Sequence, residues 1–322
     1  MKKMLLCSLS VLGLLTLAAC GNSSADSQKD DVKEIGVLQL VEHDSLDQSY
    51  EGFVDGLAEE GFVDGENIKI NYQNAQNNQD NLRSMTENLI KEDPDLLLGI
   101  TTAAAQSLAT MTSDIPIVVT SVTDLKTAKL VDNYKKPGGN VTGTSNLSPV
   151  KKQIELLLSI VPDAKKIGMI YNSGEINSQV QIDIAKEVLD EKGVDYEIKT
   201  VTSTNDVQQV AEKVAASCDG IYVPTDNTMA SAATITGDVV KEAKVPLVYG
   251  AVSETKLGGL ASYGVNYHDL GVQTGKMAAK ILNGEAEPAD IPVEHAKNLE
   301  FYVNPEMAEA LGIDPNSIKK PE

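Results

Sequence analysis

Polar side chains follow several apolar runs of this sequence, at positions where a strand would end and a helix would begin. His43 follows the first run, Thr101 to Ala103 follow a later one, and Asp226 and Asn227 follow another. In open α/β sheets, ligands bind at the carboxyl ends of the strands, so these side chains are candidates for one site. The first turn of a helix suits a carboxylate, and Asp226 would suit an ammonium group. A carboxylate on one side and an ammonium on the other describe an α-amino acid.

The full set of candidate ligand contacts shares this placement at strand ends and helix starts. It comprises His43, Leu46, Thr101, Thr102, Ala103, Thr123, Asp124, Tyr171, Glu175, Asn177, Ser178, Asp226, Asn227, Tyr249 and Gly250. Some members have a second interpretation. Thr102, Ser178 and Asp226 could instead cap their helices. The rings of Tyr171 and Tyr249 could instead pack in the core of a lobe.

The sequence carries no motif typical of a catalytic site. It has no nucleophile elbow, phosphate-binding loop, zinc-protease motif or dinucleotide fingerprint. Cys218 is the only cysteine after residue 20, and the three histidines lie far apart, so no cluster has metal-ligand spacing. The net charge of −20 argues against binding to nucleic acid or to anionic lipid. We therefore expect a monomeric binding protein for a small molecule, without enzymatic activity, metal or cofactor.

Two halves of the sequence resemble each other in the same order. Lys33–Gly61 matches Lys165–Gly193 without a gap, and Ile115–Val119 matches Val245–Tyr249. Two copies of one strand–helix–strand plan predict two similar lobes. A ligand would then bind in the groove between them.

Apolar runs alternate with helix-periodic segments throughout, which predicts an α/β fold of two doubly wound parallel-sheet lobes. The pattern also predicts strands at Leu96–Ile100 and Gly220–Val223 and one helix over Thr228–Ala243. It predicts a further helix start at Ser148-Pro149, with Ser148 as the cap. We expect a three-strand hinge that lets the lobes close. Its crossings are predicted near Ser145-Asn146, Val265-Asn266 and Glu285–Asp290. The predicted lobes are residues 33–144 plus 266–285 and residues 145–265 plus 286–322.

The N-terminus has the pattern of a bacterial lipoprotein signal peptide over residues 1–20. Lys2 and Lys3 precede an apolar stretch, Leu5–Leu17, and a small-residue cleavage site ends at Cys20. The apolar stretch is too short to span a bilayer as a helix. Cleavage would leave Cys20 as a lipidated N-terminus, followed by a flexible tether over residues 21–32. We expect the protein on the extracellular face of the cytoplasmic membrane of a Gram-positive bacterium, touching the membrane only through its lipid anchor.

Several segments resemble one family. The lipobox, the run that begins at Ile35, the segment K-P-G-G-N-V-T-G at Lys136–Gly143 and the segment I-Y-V-P-T-D-N at Ile221–Asn227 resemble substrate-binding lipoproteins of ABC transporters. The branch they resemble is associated with uptake of tryptophan and other aromatic amino acids. The resemblance covers about Lys33 to Ile313. It implies a type I periplasmic-binding-protein fold and delivery of the ligand to a membrane permease powered by a cytoplasmic ATPase.

The resemblance also implies which residues bind the ligand. The Asp226-Asn227 pair, the Thr101–Ala103 turn and the Glu175–Ser178 loop match the family pattern. Leu46, beside His43, suits the covering of a flat ring. The chain contains no tryptophan, so ring stacking would rest on His43 or on a tyrosine.

Two other functions fit the same two-lobe plan. One is a receptor for a sugar or nucleoside, although such sites usually carry several stacking aromatic rings and this groove is short of them. The other is a sensory receptor that docks on a membrane kinase. A permease and a kinase would both recognise the closed form, so the sequence does not separate them.

Overall fold

The computed structural model describes residues 32–322 and places them in two six-stranded sheets. The predicted signal peptide, with Cys20, and residues 21–31 of the predicted tether lie outside the described residues. Val32, the last residue of the predicted tether, is exposed just before the first strand.

The first part of the described chain alternates strands and helices. Its elements are β1 (Lys33–Gln39), α1 (Asp44–Glu59), β2 (Ile68–Asn74), α2 (Gln79–Lys91), β3 (Leu96–Ile100), α3 (Thr102–Met111), β4 (Ile117–Val122) and β5 (Val141–Ser145). β3 and β4 are buried along their whole length. Their sequences are therefore continuous apolar or small-residue runs, as expected for strands covered on both faces.

The second part repeats this plan and adds the connections between the lobes. Its elements are α4 (Val150–Ile160), β6 (Lys166–Asn172), α5 (Ile176–Lys192), β7 (Asp195–Val201), α6 (Thr204–Ala215), β8 (Gly220–Val223), α7 (Asn227–Ser231), α8 (Ala233–Ala243), β9 (Leu247–Tyr249), α9 (Val252–Leu257), β10 (Ala261–Val265), α10 (Tyr267–Leu282), β11 (Glu294–His295), β12 (Leu299–Val303) and α11 (Pro305–Leu311).

The strand orders of the two sheets match the predicted duplication. The first sheet has the order β11-β5-β4-β3-β1-β2, and the second has β12-β10-β9-β8-β6-β7. Strands β1 to β5 therefore occupy the places that β6 to β10 occupy in the second sheet. In the first lobe, separate apolar clusters cover the two faces of the sheet, so this sheet is doubly wound.

One edge strand departs from the predicted parallel sheets. β12 pairs with β10 in antiparallel register, whereas the other pairs are parallel. The chain leaves the second sheet at the carboxyl end of β10, crosses to the first lobe and returns to the same end of the sheet. A strand that enters there must run antiparallel to β10.

The chain crosses between the two sheets three times. The first two crossings, after β5 and after β10, fall at the predicted positions near Ser145 and Val265. The third crossing was predicted at Glu285–Asp290, but Glu294 and His295 pair with β5 in the first sheet. The chain therefore leaves the first lobe only after His295. A two-residue strand in a proline-containing approach carries no periodic signal, which is why the sequence did not reveal it.

Three local predictions also differ from the structure. The predicted helix over Thr228–Ala243 is divided into α7 and α8 at Ala232, whose backbone leaves the helical region. The six-residue helix α9 was not predicted. Ser148 does not cap α4; its hydroxyl donates to the carbonyl of Gly250 at 3.2 Å. Alanine favours helices, so the break at Ala232 comes from tertiary packing rather than from local propensity.

Among residues 32–322, no helix combines the length and apolar character that crossing a bilayer requires.

Candidate functional site

A closed cavity lies where the carboxyl ends of the two sheets face each other. Residues of both lobes line it: His43, Leu46, Ser121, Thr123, Asn146, Asn177, Thr225, Asp226, Asn227, Ala230, Ala251, Glu254 and Tyr267. Its volume is about 20 Å³, which is room for a single water molecule. An amino acid is much larger. The lobes must therefore separate to admit one.

The structure brings most of the predicted ligand contacts to this region. Six of them line the cavity: His43, Leu46, Thr123, Asn177, Asp226 and Asn227. Thr102 and Asp124 line an adjoining gap, which shares Asn177 with the cavity. The other seven line neither space: Thr101, Ala103, Tyr171, Glu175, Ser178, Tyr249 and Gly250.

Asp226 lines the cavity, but its carboxylate accepts hydrogen bonds from groups of the second lobe. One oxygen accepts the backbone N–H of Met229 at 2.9 Å, which caps α7. The other oxygen accepts the N–H of Asn172 and the hydroxyl of Ser178, both at 2.7 Å. Burial, and then the charge of Glu175, raise the pKa of Asp226 to about 7, although these hydrogen bonds act in the opposite direction. Three of its roughly four acceptor positions are thus used within one lobe.

Glu175 also binds the start of α7 rather than facing the cavity. Its two oxygens accept the backbone N–H groups of Asn227 and Thr228, at 3.0 and 3.1 Å. They also accept the side chains of Asn177, Asn227 and Thr228. A carboxylate at a helix N-terminus is favourable because it satisfies free N–H groups and the helix dipole. Glu175 therefore stabilises the start of α7 in this arrangement.

The two predicted tyrosine contacts belong to the core of the second lobe. Tyr171 and Tyr249 are buried among its apolar side chains, and the hydroxyl of Tyr171 donates to Gln179. Of the two possible roles, core packing or ring contact with the ligand, the structure shows core packing for both rings. The aromatic side chain that lines the cavity is Tyr267, at the start of α10.

Ser178 and Gly250 do not line the cavity, but they contact residues that do. The Ser178 hydroxyl donates to the carboxylate of Asp226. The Gly250 carbonyl accepts the side chains of Ser148 and Gln153. A Cβ atom at position 250 would lie 2.6 Å from the backbone nitrogen of Thr225, so only glycine allows the two loops to pack this closely.

The adjoining gap lies between the N-termini of α3 and α5, one from each lobe. Thr101 caps α3 by accepting the N–H of Ala104, and Ala103 packs on the core of the first lobe. The φ angle of Thr101 is 96°, a conformation that costs a β-branched residue about 1–3 kcal/mol. Thr102 is buried, and its hydroxyl has no hydrogen-bond partner among the described residues.

Contacts across the cleft join the first lobe to α7 and α9 of the second. The hydroxyl of Ser45 donates to Oε1 of Glu254 at 3.1 Å. Nε2 of His43 lies 3.4 Å from Oδ1 of Asn227, and its Nδ1 lies 3.8 Å from Oε1 of Glu254. These side chains hold the two lobes together in the closed arrangement.

Seven residues that line the cavity were not predicted: Ser121, Asn146, Thr225, Ala230, Ala251, Glu254 and Tyr267. One of them had a signal in the sequence. Extending the match of Ile115–Val119 with Val245–Tyr249 aligns Asp124, which was predicted, with Glu254. Because helix α9 was not predicted, the correspondence between Asp124 and Glu254 was not recognised.

Two larger grooves lie on the outer surface, away from the strand ends. One, of about 500 Å³, runs between α6 and α8, and the other, of about 420 Å³, runs along α10. Neither is enclosed by both lobes. In the part of the chain that the structure describes, no group of three or more His, Cys, Asp or Glu side chains is placed to hold a metal ion.

Comparison with known proteins identifies the family. Residues 34–319 match the family described as ABC transporter substrate binding protein. The chain is also 37% identical to the tyrosine-binding protein of Clostridioides difficile strain R20291, over 94% of this chain and 89% of that protein. The chain belongs to the ABC transporter substrate-binding protein family. Its members bind solutes, which is a non-enzymatic role.

Two solved structures of similar proteins share this fold. An ABC domain from Streptococcus pneumoniae in complex with L-Trp is 40% identical, with a TM-score of 0.85 over 90% of this chain and 98% of that one. The ligand-free, open structure of a substrate-binding protein with adhesive properties from Clostridium difficile is 42% identical. Its TM-score is only 0.70 over 88% of this chain and 96% of that one. The lobes of this chain contact each other across the cleft, through Ser45 and Glu254 and through His43 and Asn227, and the fold superposes better on the L-Trp complex than on the open structure. The predicted two-lobe fold of a type I periplasmic binding protein is confirmed.

Proposed function

We propose that this protein captures an aromatic L-amino acid, tyrosine or tryptophan, between its lobes and delivers it to an ABC permease powered by a cytoplasmic ATPase. The observation that carries the proposal is the cavity enclosed by polar side chains of both lobes, in an arrangement closer to an L-Trp complex than to an open relative. The tyrosine-binding relative supports the same ligand class.

The two lobes supply different parts of an amino-acid site. The N-termini of α3 and α5 face the gap beside the cavity and suit the ligand carboxylate, with Thr102 and Asn177 as side-chain donors. His43, Leu46 and Tyr267 line the cavity and suit an aromatic ring. A ligand that touches both lobes binds the closed form more tightly than the open form. Binding therefore shifts the population toward the form that a permease would recognise.

The lipoprotein signal pattern at the N-terminus supports a location outside the cell. In our proposal, lipidated Cys20 anchors a monomer on the extracellular face of the cytoplasmic membrane of a Gram-positive bacterium, and residues 21–32 tether the lobes to that anchor. Mass spectrometry of the membrane fraction tests the anchor. A peptide that begins at diacylated Cys20 is heavier than the unmodified peptide by the mass of the added lipid.

Calorimetry tests the ligand class directly. Protein unfolded, washed free of bound ligand and refolded is titrated with each of the twenty amino acids, a set of sugars and a set of nucleosides. We expect heats of binding for L-tyrosine or L-tryptophan and none for the sugars and nucleosides. The protein has no tryptophan, so all indole fluorescence comes from the added L-tryptophan, and its change in intensity on binding gives an independent affinity. Binding of a sugar or nucleoside, with no response to any amino acid, would disprove the proposal.

A further inference from the structure

Glu254 presents a carboxylate to the cavity with one oxygen unpaired. The residue is 6% exposed, and its Oε1 accepts the hydroxyl of Ser45. Its Oε2 is buried and has no hydrogen-bond partner among residues 32–322. A buried carboxylate oxygen without a donor is unfavourable, so it indicates that a donor arrives from outside the protein.

No strong positive charge in the cavity balances Glu254. The residues that line the cavity include neither lysine nor arginine. Within the described chain, the only basic group within 4.0 Å of the Glu254 carboxylate is His43, whose Nδ1 is 3.8 Å away. That nitrogen is itself buried without a hydrogen-bond partner. The cavity therefore suits a ligand that brings its own positive charge.

Asn146 supplies a second unpaired acceptor to the same cavity. Its Nδ2 donates to the hydroxyl of Tyr267 at 3.0 Å. Its Oδ1 is buried and has no hydrogen-bond partner in the described part of the chain. An ammonium group has three N–H donors and needs several acceptors at once.

We propose that Glu254 and Asn146 bind the α-ammonium group of the ligand. The assignment deepens the proposed function and rests on it, because it concerns the same cavity and an amino-acid ligand. It replaces the sequence-based prediction of Asp226, whose oxygens already accept three hydrogen bonds within the second lobe. It also ties recognition to closure: Glu254 lies in the second lobe, Ser45 in the first, and Asn146 at the crossing after β5.

The test compares L-tyrosine with 3-(4-hydroxyphenyl)propionate, which lacks only the amino group. Wild-type protein should bind L-tyrosine about 100-fold more tightly, because the analogue leaves a buried charge unpaired. The Glu254→Gln substitution should remove most of this preference by weakening L-tyrosine binding about 100-fold, with little effect on the analogue. Glu187→Gln, on the exposed face of α5, makes the same change in net charge and should leave both affinities unchanged.

The outcomes separate the two proposals. If wild-type protein does not bind L-tyrosine or L-tryptophan, the proposed function fails. If it binds L-tyrosine but Glu254→Gln keeps the preference for the amino group, the assignment of Glu254 is wrong while the function stands. The same holds if Asp226→Asn, and not Glu254→Gln, removes the preference.

A folding defect in Glu254→Gln would not leave the question open. Thermal melting identifies such a defect, and Glu254→Asp then replaces it, since this change keeps the charge but shortens its reach. We expect Glu254→Asp to retain part of the preference for L-tyrosine over the analogue. Equal affinity of wild-type protein for L-tyrosine and its deaminated analogue would overturn the assignment without any variant.

Discussion

At the scale of single residues, three acidic side chains near the cleft differ in the donors that surround them. Glu175 and Asp226 accept hydrogen bonds from the start of α7, so they stabilise the second lobe. Glu254 keeps one oxygen free toward the cavity. Residue type alone does not separate these roles. The roles are separated by the number of hydrogen-bond donors that the fold brings to each carboxylate.

Asp226 should make stability depend on pH. Its pKa is raised to about 7 from 3.8, so between about pH 4 and pH 7 the folded protein holds a proton that the unfolded chain has released. The folded state then binds more protons than the unfolded state, and the contribution of Asp226 to the free energy of unfolding decreases as pH rises. We expect the difference in free energy of unfolding, wild type minus Asp226→Asn, to fall by roughly 2–4 kcal/mol across this range.

Urea denaturation at a series of pH values measures this difference. Asp206 is a suitable control because hydrogen bonds from Thr202 and Ser203 lower its pKa. Its stabilising contribution is complete above pH 4 and is lost only as pH falls through its lowered pKa. The difference for Asp206→Asn should therefore be flat between pH 5 and pH 7. A flat difference for Asp226→Asn as well would show that its folded pKa is ordinary.

At the scale of elements, α1 and α10 pack unusually closely in the first lobe. Gly52 and Gly56 on α1 face Gly271 and Gly275 on α10. A Cβ atom at Gly275 would lie 2.4 Å from the backbone oxygen of Phe53, far inside van der Waals contact. Because α10 directly follows the second crossing, this packing fixes that crossing to the first lobe.

The Gly275→Ala substitution should destabilise the protein by at least ~2 kcal/mol, because the helices must move apart to admit the methyl group. The gain in helix propensity, about 1 kcal/mol, acts in the opposite direction. Chemical denaturation measures the net effect. Gly139→Ala is the matched control, since a Cβ atom there meets no heavy atom within 4 Å, and its effect should stay within about 0.5 kcal/mol. Equal stability of the two variants would contradict the close packing.

At the scale of the whole molecule, ligand binding should appear as lobe closure. The cavity in the closed arrangement has a volume of about 20 Å³, so a ligand-free chain must open before binding. Small-angle scattering should show a smaller radius of gyration after L-tyrosine or L-tryptophan is added to stripped protein. At a hundredfold excess over Kd, the ligand should also stabilise the fold by about 2.7 kcal/mol.

A sugar that gives no heat of binding serves as the control for both measurements. It should change neither the scattering profile nor the melting temperature. Identical scattering with and without a ligand that calorimetry shows to be bound would mean that the lobes do not move.

Most of the fold could be predicted from the sequence because its signals are local. Leu96–Ile100 and Gly220–Val223 are strands with the predicted bounds, since a buried strand is a short apolar run between turn residues. The duplicated pattern predicted two similar lobes, and the structure shows two sheets with matching strand orders. The candidate contacts at strand ends followed from the same pattern, and eight of them line the cavity or its adjoining gap.

The tertiary structure alone decided what each polar side chain does. Asp226 and Glu175 are ordinary acidic residues in the sequence. In the fold, α7 packs against β6 and α5, and the carboxylate oxygens of both residues accept hydrogen bonds there. Glu254 and Asn146 lie on a six-residue helix and at a crossing, and the fold brings both to one cavity. Strand and helix patterns arise from the spacing of neighbouring residues. Hydrogen-bond partners and burial depend on residues far apart in the chain, so no local pattern contains them.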